Sequence, residues 1–170
     1  VSLEDERLIT LSKIASSEKI IPNFLELVDI AGLVRGASKG EGLGNKFLSH
    51  IREVDAILHL VRCFEDENIT HVENRVNPVL DAEIINTELL LADLEQATNY
   101  KTRNAKKISK EEDSLLIKII ESLNNGVNLR ELSFKEEEFL FLKKLHFITL
   151  KPVIYVANVS EEGLTGNEFT

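Results

Sequence analysis

The chain has 170 residues, a formal net charge of −9, 43% hydrophobic residues, one cysteine and no methionine. That length suits about one domain with a core large enough to need no disulfide or metal staple, and the lone Cys63 excludes an internal disulfide framework, as fits a reducing cytosol. The acidic balance disfavours a broad face for nucleic acid or anionic membrane, and no apolar run reaches the roughly 20 residues of a transmembrane helix, so a soluble, cytoplasmic protein is expected. With no methionine to serve as initiator, the sequence reads as a piece of something longer.

Ser2-Leu3-Glu4-Asp5 offers caps for a short helix with Leu8, Leu11 and Ile14 on one face. Phe24-Leu25-Glu26-Leu27-Val28, reached through Pro22, predicts a buried strand, and Asp29 stands at its carboxyl end, where open α/β sheets place their ligands. Five of the eight glycines follow between positions 32 and 44: Gly32, Gly36, Gly40, Gly42 and Gly44. Phe47, Leu48 and Ile51 predict a helix over 45–52, and Ala56 to Val61 a second buried strand that runs on into a polar loop over 62–71. Asn77-Pro78 is an N-cap with proline at the first helical position, opening a helix through Ile84, Ile85, Leu89 and Ala92 towards Tyr100. Ser109 with Glu112 forms a capping box before Leu116, Ile119, Ile120 and Leu123, and Asn125-Gly126 ends that helix. These two helices predict an antiparallel hairpin whose tip carries Lys101, Arg103, Lys106, Lys107 and Lys110 without an acidic residue among them. Ser133 with Glu136 predicts the start of a third helix through Phe139, Leu140 and Leu145, and Pro152 to Ala157 a third strand ending at Asn158.

Asp29 is a carboxylate of the kind that holds Mg²⁺ through water. Gly32, three residues on, lets backbone approach a γ-phosphate closely, and the glycine-studded segment after it can change conformation when that phosphate leaves. Asp-x-x-Gly alone is also compatible with an ordinary turn. The longer string from Val28 to Leu48, VDIAGLVRGASKGEGLGNKFL, resembles the switch region of the Obg-like GTPases, and most of all their YchF branch, the Obg-like ATPases. The resemblance continues through Arg62-Cys63-Phe64-Glu65, His71-Val72, Val76-Asn77-Pro78, Glu88-Leu89 and Ala92-Asp93-Leu94, and resumes at Phe147 to Pro152 and Ala157 to Glu161.

The resemblance implies an α/β P-loop NTPase sheet of the Ras-like and Obg-like kind, interrupted by an inserted helical hairpin. Residues 1–86 would be part of the NTPase domain with switch II, 87–145 a coiled-coil-like insertion, and 146–170 the return to the NTPase domain. It implies hydrolysis of ATP, or of GTP as second choice, with Mg²⁺. The phosphate loop Gly-x-x-x-x-Gly-Lys-Ser/Thr does not occur in the sequence. In the resembled family it lies upstream of these residues and a TGS domain lies downstream, so the 170 residues alone are expected to be inactive.

Leu33 occupies the position where many switch GTPases carry the glutamine that orients the attacking water, and leucine cannot do so. The family shares that substitution, and the resemblance points instead to His71, whose imidazole can orient water near neutral pH. A purely structural or solvent role for His71 remains the alternative. His59, in mid-strand, reads as a satisfied core residue. Guanine-specific proteins carry Asn-Lys-x-Asp after this last strand, whereas this chain has Asn158-Val159-Ser160-Glu161. Val159 lacks the lysine stem and Glu161 is one methylene too long, which weakens guanine discrimination. The basic tip is either a solvated helix end or a contact for ribosomal RNA, since the family associates with ribosomes. A conventional Obg-type GTPase, disfavoured by Val159 and Glu161, and a non-catalytic helical interaction module are the alternatives.

Overall fold

The computed structural model describes residues 1–30, 43–66 and 76–170. The chain divides into two compact units, Val1–Ala31 and Gly32–Thr170.

In the first unit, strand β1 (Ser2–Leu3) pairs antiparallel with β2 (Asn23–Phe24). The pairing is extended by the Val1 amine donating to Leu25 O at 2.7 Å and Leu25 N–H donating to Val1 O at 2.8 Å. Helix α1 (Glu6–Ala15) begins one residue after Asp5, whose carboxylate accepts from Arg7 N–H. Asp5 therefore provides the cap, while Ser2 and Leu3 are spent on the strand. The buried strand expected over Phe24 to Val28 is not found. Regular pairing stops at Phe24, and Phe24, Leu25, Leu27 and Val28 are all exposed. An apolar run supplies strand propensity, but a ladder also needs a partner, and β1 is only two residues long.

The second unit is organised around two parallel strands, β3 (Ile57–Arg62) and β4 (Val153–Asn158), in register from Ile57 opposite Val153 to Arg62 opposite Asn158. Parallel strands need a crossover, and here it is helical. Helix α3 (Pro78–Asn104) starts with Asn77 Oδ1 accepting from Leu80 N–H at 3.1 Å and proline in the first turn. Helix α4 (Lys110–Asn124) starts with the reciprocal box between Ser109 and Glu112, at 3.1 and 2.8 Å. It ends at Gly126, whose φ of 76° lies in the left-handed region where a Cβ would be strained. A 3-10 turn (Leu129–Glu131) and helix α5 (Glu136–Lys144) lead back to β4.

Helix α5 starts two residues later than its expected cap. Glu138 accepts from Lys135 N–H at 2.8 Å, and Ser133 makes no cap, because the chain stays outside the helix while Leu132 and Phe134 pack on the core. That core is Ala97 of α3, Leu115, Leu116, Ile119 and Leu123 of α4, Leu129, Leu142 of α5 and Phe147. It welds the hairpin base to α5. Upstream of β3, helix α2 (Leu43–Glu53) buries Leu48 and Ile51.

Residues opposite each other in a parallel pair share a face. His59 and Tyr155 do so, with ring centres 5.3 Å apart, and Asn86 of α3 donates to Tyr155 Oη at 2.8 Å, so this face looks onto α3. The opposite face carries Leu58, Leu60 and Ile154, all more than half exposed. Among the described residues, no helix is long and apolar enough to cross a membrane.

Candidate functional site

β3 and β4 end side by side, which puts Arg62 opposite Asn158 at the carboxyl edge where parallel sheets receive ligands. Cys63 N–H donates to Asn158 O at 2.8 Å and carries the pairing one residue further. After Asn158 the chain turns through Val159 and Ser160 into a 3-10 turn (Glu161–Gly163), held by Gly163 N–H donating to Ser160 O at 2.9 Å. Asn158 and Glu161 are exposed, and Val159 is half-buried. The tetrad Asn158, Val159, Ser160 and Glu161 thus stands together at one sheet edge, with its three polar residues exposed.

On the neighbouring strand the Arg62 guanidinium lies 4.8 Å over the Phe64 ring, and it donates to Phe64 O at 2.9 Å and Asp66 O at 3.3 Å. It braces the chain where it leaves β3. Cys63 is buried, and burial pushes its thiol above the ordinary range, so it belongs to the core and not to the nucleophiles. Burial likewise lowers the His59 imidazole below its ordinary 6.5, keeping it neutral against Tyr155.

Asp29 belongs to the first unit and is exposed. Its single open carboxylate fits the donor chemistry of Mg²⁺, which takes one or two carboxylates and completes its shell with water and phosphate oxygens. Gly32, Leu33 and His71 lie outside the described residues, as does most of the glycine-studded segment. Among the described residues, no three His, Cys, Asp or Glu side chains converge on a metal position.

The basic residues fall around the junction of α3 and α4: Lys101 and Arg103 in the last turn of α3, Lys106 and Lys107 on the connection, and Lys110 at the start of α4. Lys101 differs from the others: its ammonium is paired with the Asp113 carboxylate across the hairpin. Arg103, Lys106, Lys107 and Lys110 are exposed around the turn. Lys107 and Ile108 N–H groups both donate to Asn104 O, at 2.7 and 3.1 Å, while Ile108 packs on the core, so the tip has a defined shape.

Reading the sequence alone missed a buried polar network beside this hairpin. Asp93 of α3 is fully buried and accepts from Thr149 N–H at 2.7 Å, Thr149 Oγ1 at 2.8 Å and Arg52 Nη1 of α2 at 3.0 Å. Arg52 also donates to His146 O at 3.2 Å and Ala92 O at 3.3 Å, and Lys151 Nζ donates to Arg52 O at 3.0 Å and to Val54 O. Burial raises the Asp93 carboxyl above the usual carboxylate range, against the pull of the Thr149 N–H and the Arg52 charge. Burial also lowers the Lys151 ammonium, with Asp55 and Asp93 opposing. A signal was present: Leu89, Asp93 and Ala97 fall at i, i+4 and i+8, so a carboxylate interrupts a buried helical stripe.

Comparison with known proteins agrees with this geometry. Residues 4–93, just over half of the chain, match the family model of the 50S ribosome-binding GTPases. The chain is 47% identical to the ribosome-binding ATPase YchF of Bacillus subtilis over 99% of its own length and 48% of that protein's. It is 49% identical to the ribosome-binding ATPase YchF of Escherichia coli O157:H7 over the same shares. The solved structure of the Schizosaccharomyces pombe YchF GTPase superposes with a TM-score of 0.80 at 37% identity, covering 99% of this chain and 48% of that one. The chain therefore spans about half the length of the curated relatives it matches. With its parallel strands, helical crossover and Asn158 to Glu161 edge, the chain belongs to the 50S ribosome-binding GTPase family, as an α/β P-loop NTPase segment homologous to the YchF ribosome-binding ATPases.

Proposed function

We propose that the full-length protein is a Mg²⁺-dependent nucleoside-triphosphate hydrolase, with ATP preferred over GTP, acting in the cytoplasm as a ribosome-associated switch. The observation that carries this reading is the placement of Asn158, Val159 and Glu161 together at the carboxyl edge of a parallel strand pair, beside relatives named as ribosome-binding ATPases. Asn158 offers an amide and Glu161 a carboxylate to the polar edge of a base. Val159 supplies apolar contact where a guanine-specific protein has a lysine stem.

The remaining roles rest on residue chemistry together with the family resemblance. Asp29 would hold Mg²⁺ through water, and the ion would offset the charge developing on the phosphate oxygens. The Gly32 amide would report the γ-phosphate. Leu33 has no polar atom with which to place water, and His71 takes that task. Residues 1–86 and 146–170 serve as the nucleotide domain and 87–145 as its helical insertion. At the far end of that insertion Arg103, Lys106, Lys107 and Lys110 meet ribosomal RNA phosphates, with Lys101 contributing less because Asp113 already neutralises it. The deciding experiment is calorimetric binding of ATP and GTP to the full-length protein, followed by single-turnover hydrolysis with and without Mg²⁺. ATP binding at least as tight as GTP binding, with Mg²⁺-dependent turnover, is the expected result. Turnover confined to GTP would return the protein to the conventional Obg-type GTPases, and no turnover of either would leave a helical interaction module.

A further inference from the structure

The loop bearing the tetrad is closed onto β3 by a residue well outside it. Asn167 Nδ2 donates to Cys63 O at 2.8 Å, across a sequence separation of 104 residues. Cys63 N–H donates to Asn158 O, also at 2.8 Å. Cys63, the residue that follows β3, therefore holds both ends of the segment from Asn158 to Asn167. The Asn167 amide has no slack, because its Oδ1 accepts from Phe169 N–H at 2.9 Å and its own N–H donates to Thr170 Oγ1 at 2.8 Å. The middle of the segment is packed equally closely. A Cβ on the buried Gly163 would lie 3.0 Å from Asn167 Nδ2 and 3.2 Å from the Val159 Cβ. Glycine at 163 is what allows the Asn167 amide and the Val159 side chain to close over the 3-10 turn.

We propose that Asn167 is the positioning residue for base selection: by pinning the Asn158 to Asn167 segment to Cys63 O, with Gly163 as the spacer, it fixes the angle at which Val159 and Glu161 meet the base. This rests on the reading of the tetrad as the base site. Hydrogen-bonded discrimination between two bases depends on the direction of one or two bonds, whereas phosphate and metal contacts do not read the base. Without the Asn167 bond, the segment that carries Glu161 loses its second tie to Cys63 and keeps the one at Asn158. The buried Cys63 carbonyl would also lose its donor, so the segment would shift to recover one. The loss should fall on the difference between bases and spare what they share.

The test compares ATP and GTP affinity in the full-length wild type, Asn167→Asp and Gly163→Ala. Asn167→Asp keeps the shape and replaces the donor facing Cys63 O by an acceptor. Gly163→Ala leaves Asn167 in place and pushes it by a few tenths of an ångström. The expected result is a fall of about fivefold to tenfold in the ATP-to-GTP affinity ratio for Asn167→Asp, the size of one displaced hydrogen bond, and a smaller fall in the same direction for Gly163→Ala. Thermal melts identify any variant that fails to fold, and Gly163→Ala then carries the comparison. An unchanged ratio in variants that melt cooperatively, or equal losses for both nucleotides, would overturn the inference by reducing Asn167 to a support of the fold. A wild type that binds neither nucleotide, or binds GTP more tightly than ATP, would instead overturn the base-site reading beneath it.

Discussion

Replacing Asp93 by alanine should be among the most destabilising single changes in this chain. The carboxylate is fully buried and accepts three hydrogen bonds, from Thr149 N–H, Thr149 Oγ1 and Arg52 Nη1. Deleting one partner of a buried pair costs about 3–5 kcal/mol, because the other partner is left without compensation. Arg52 is partly relieved, since its side chain is 22% exposed and still donates to the Ala92 and His146 carbonyls. Thr149 is fully buried and has no such relief, and each orphaned donor costs about 1–3 kcal/mol. The lower end of the range, about 3 kcal/mol, is the expected loss. With a urea dependence of about 2 kcal/mol/M, the midpoint should fall by about 1.5 M. Urea melts followed by far-ultraviolet circular dichroism would measure it, in wild type, Asp93→Ala, Arg52→Ala and the double variant. Arg52→Ala should cost less than Asp93→Ala, and the double variant should fall short of the sum by about 1 kcal/mol or more. A midpoint shift under about 0.5 M for Asp93→Ala, or strict additivity with Arg52→Ala, would refute the account of Asp93 as the hub joining α2, α3 and Thr149.

Burial depresses the His59 imidazole below its ordinary 6.5, so the neutral ring's contribution is present above that pH and lost as pH falls through the folded value. Melting temperature should therefore drop between about pH 7 and pH 5 in wild type and drop less in His59→Phe; parallel curves would remove His59 from the acid response. In the full-length protein, Val159→Lys combined with Glu161→Asp should move the affinity ratio towards GTP by about 1 kcal/mol or more, and an unmoved ratio would take the tetrad out of base recognition. His71→Ala should lower turnover with ATP affinity nearly intact, whereas Asp29→Ala should also weaken Mg²⁺-dependent binding; equal turnover in wild type and His71→Ala would assign the water to another group. A triple change of Lys106, Lys107 and Lys110 to alanine should flatten the salt dependence of ribosome co-sedimentation by up to about three contacts, and identical slopes would make the tip a merely solvated helix end.

What could be read from the sequence was what neighbouring residues decide among themselves. Asn77 with Pro78, and Ser109 with Glu112, cap their helices through bonds spanning three residues, and both helices start where those residues place them. The runs at β3 and β4 are apolar enough to declare themselves, and the tetrad follows from the second. Misreadings arose where a distant partner decides. Phe24 to Val28 has strand composition, yet its partner β1 spans two residues. Ser133 and Glu136 have capping-box spacing, yet Leu132 and Phe134 gain more by packing on the hairpin core. Asp93 meets Arg52 across 41 residues and Thr149 across 56, and Asn167 meets Cys63 across 104, so local spacing holds no trace of either pairing.

Helix α3 runs for 27 residues without a break, about 40 Å at 1.5 Å per residue. Asn86 near one end touches the sheet through Tyr155, Asp93 takes the Arg52 strut, and Arg103 stands at the other end by the basic turn. In mechanical terms this is a long arm braced near its middle. From Asn86 to Asn104 the arm measures about 27 Å, so a tilt of ten degrees at the sheet carries the tip by roughly 5 Å, close to one helical pitch. A small change of angle near Asp93 would thus move the tip cations by a distance comparable to a helical turn.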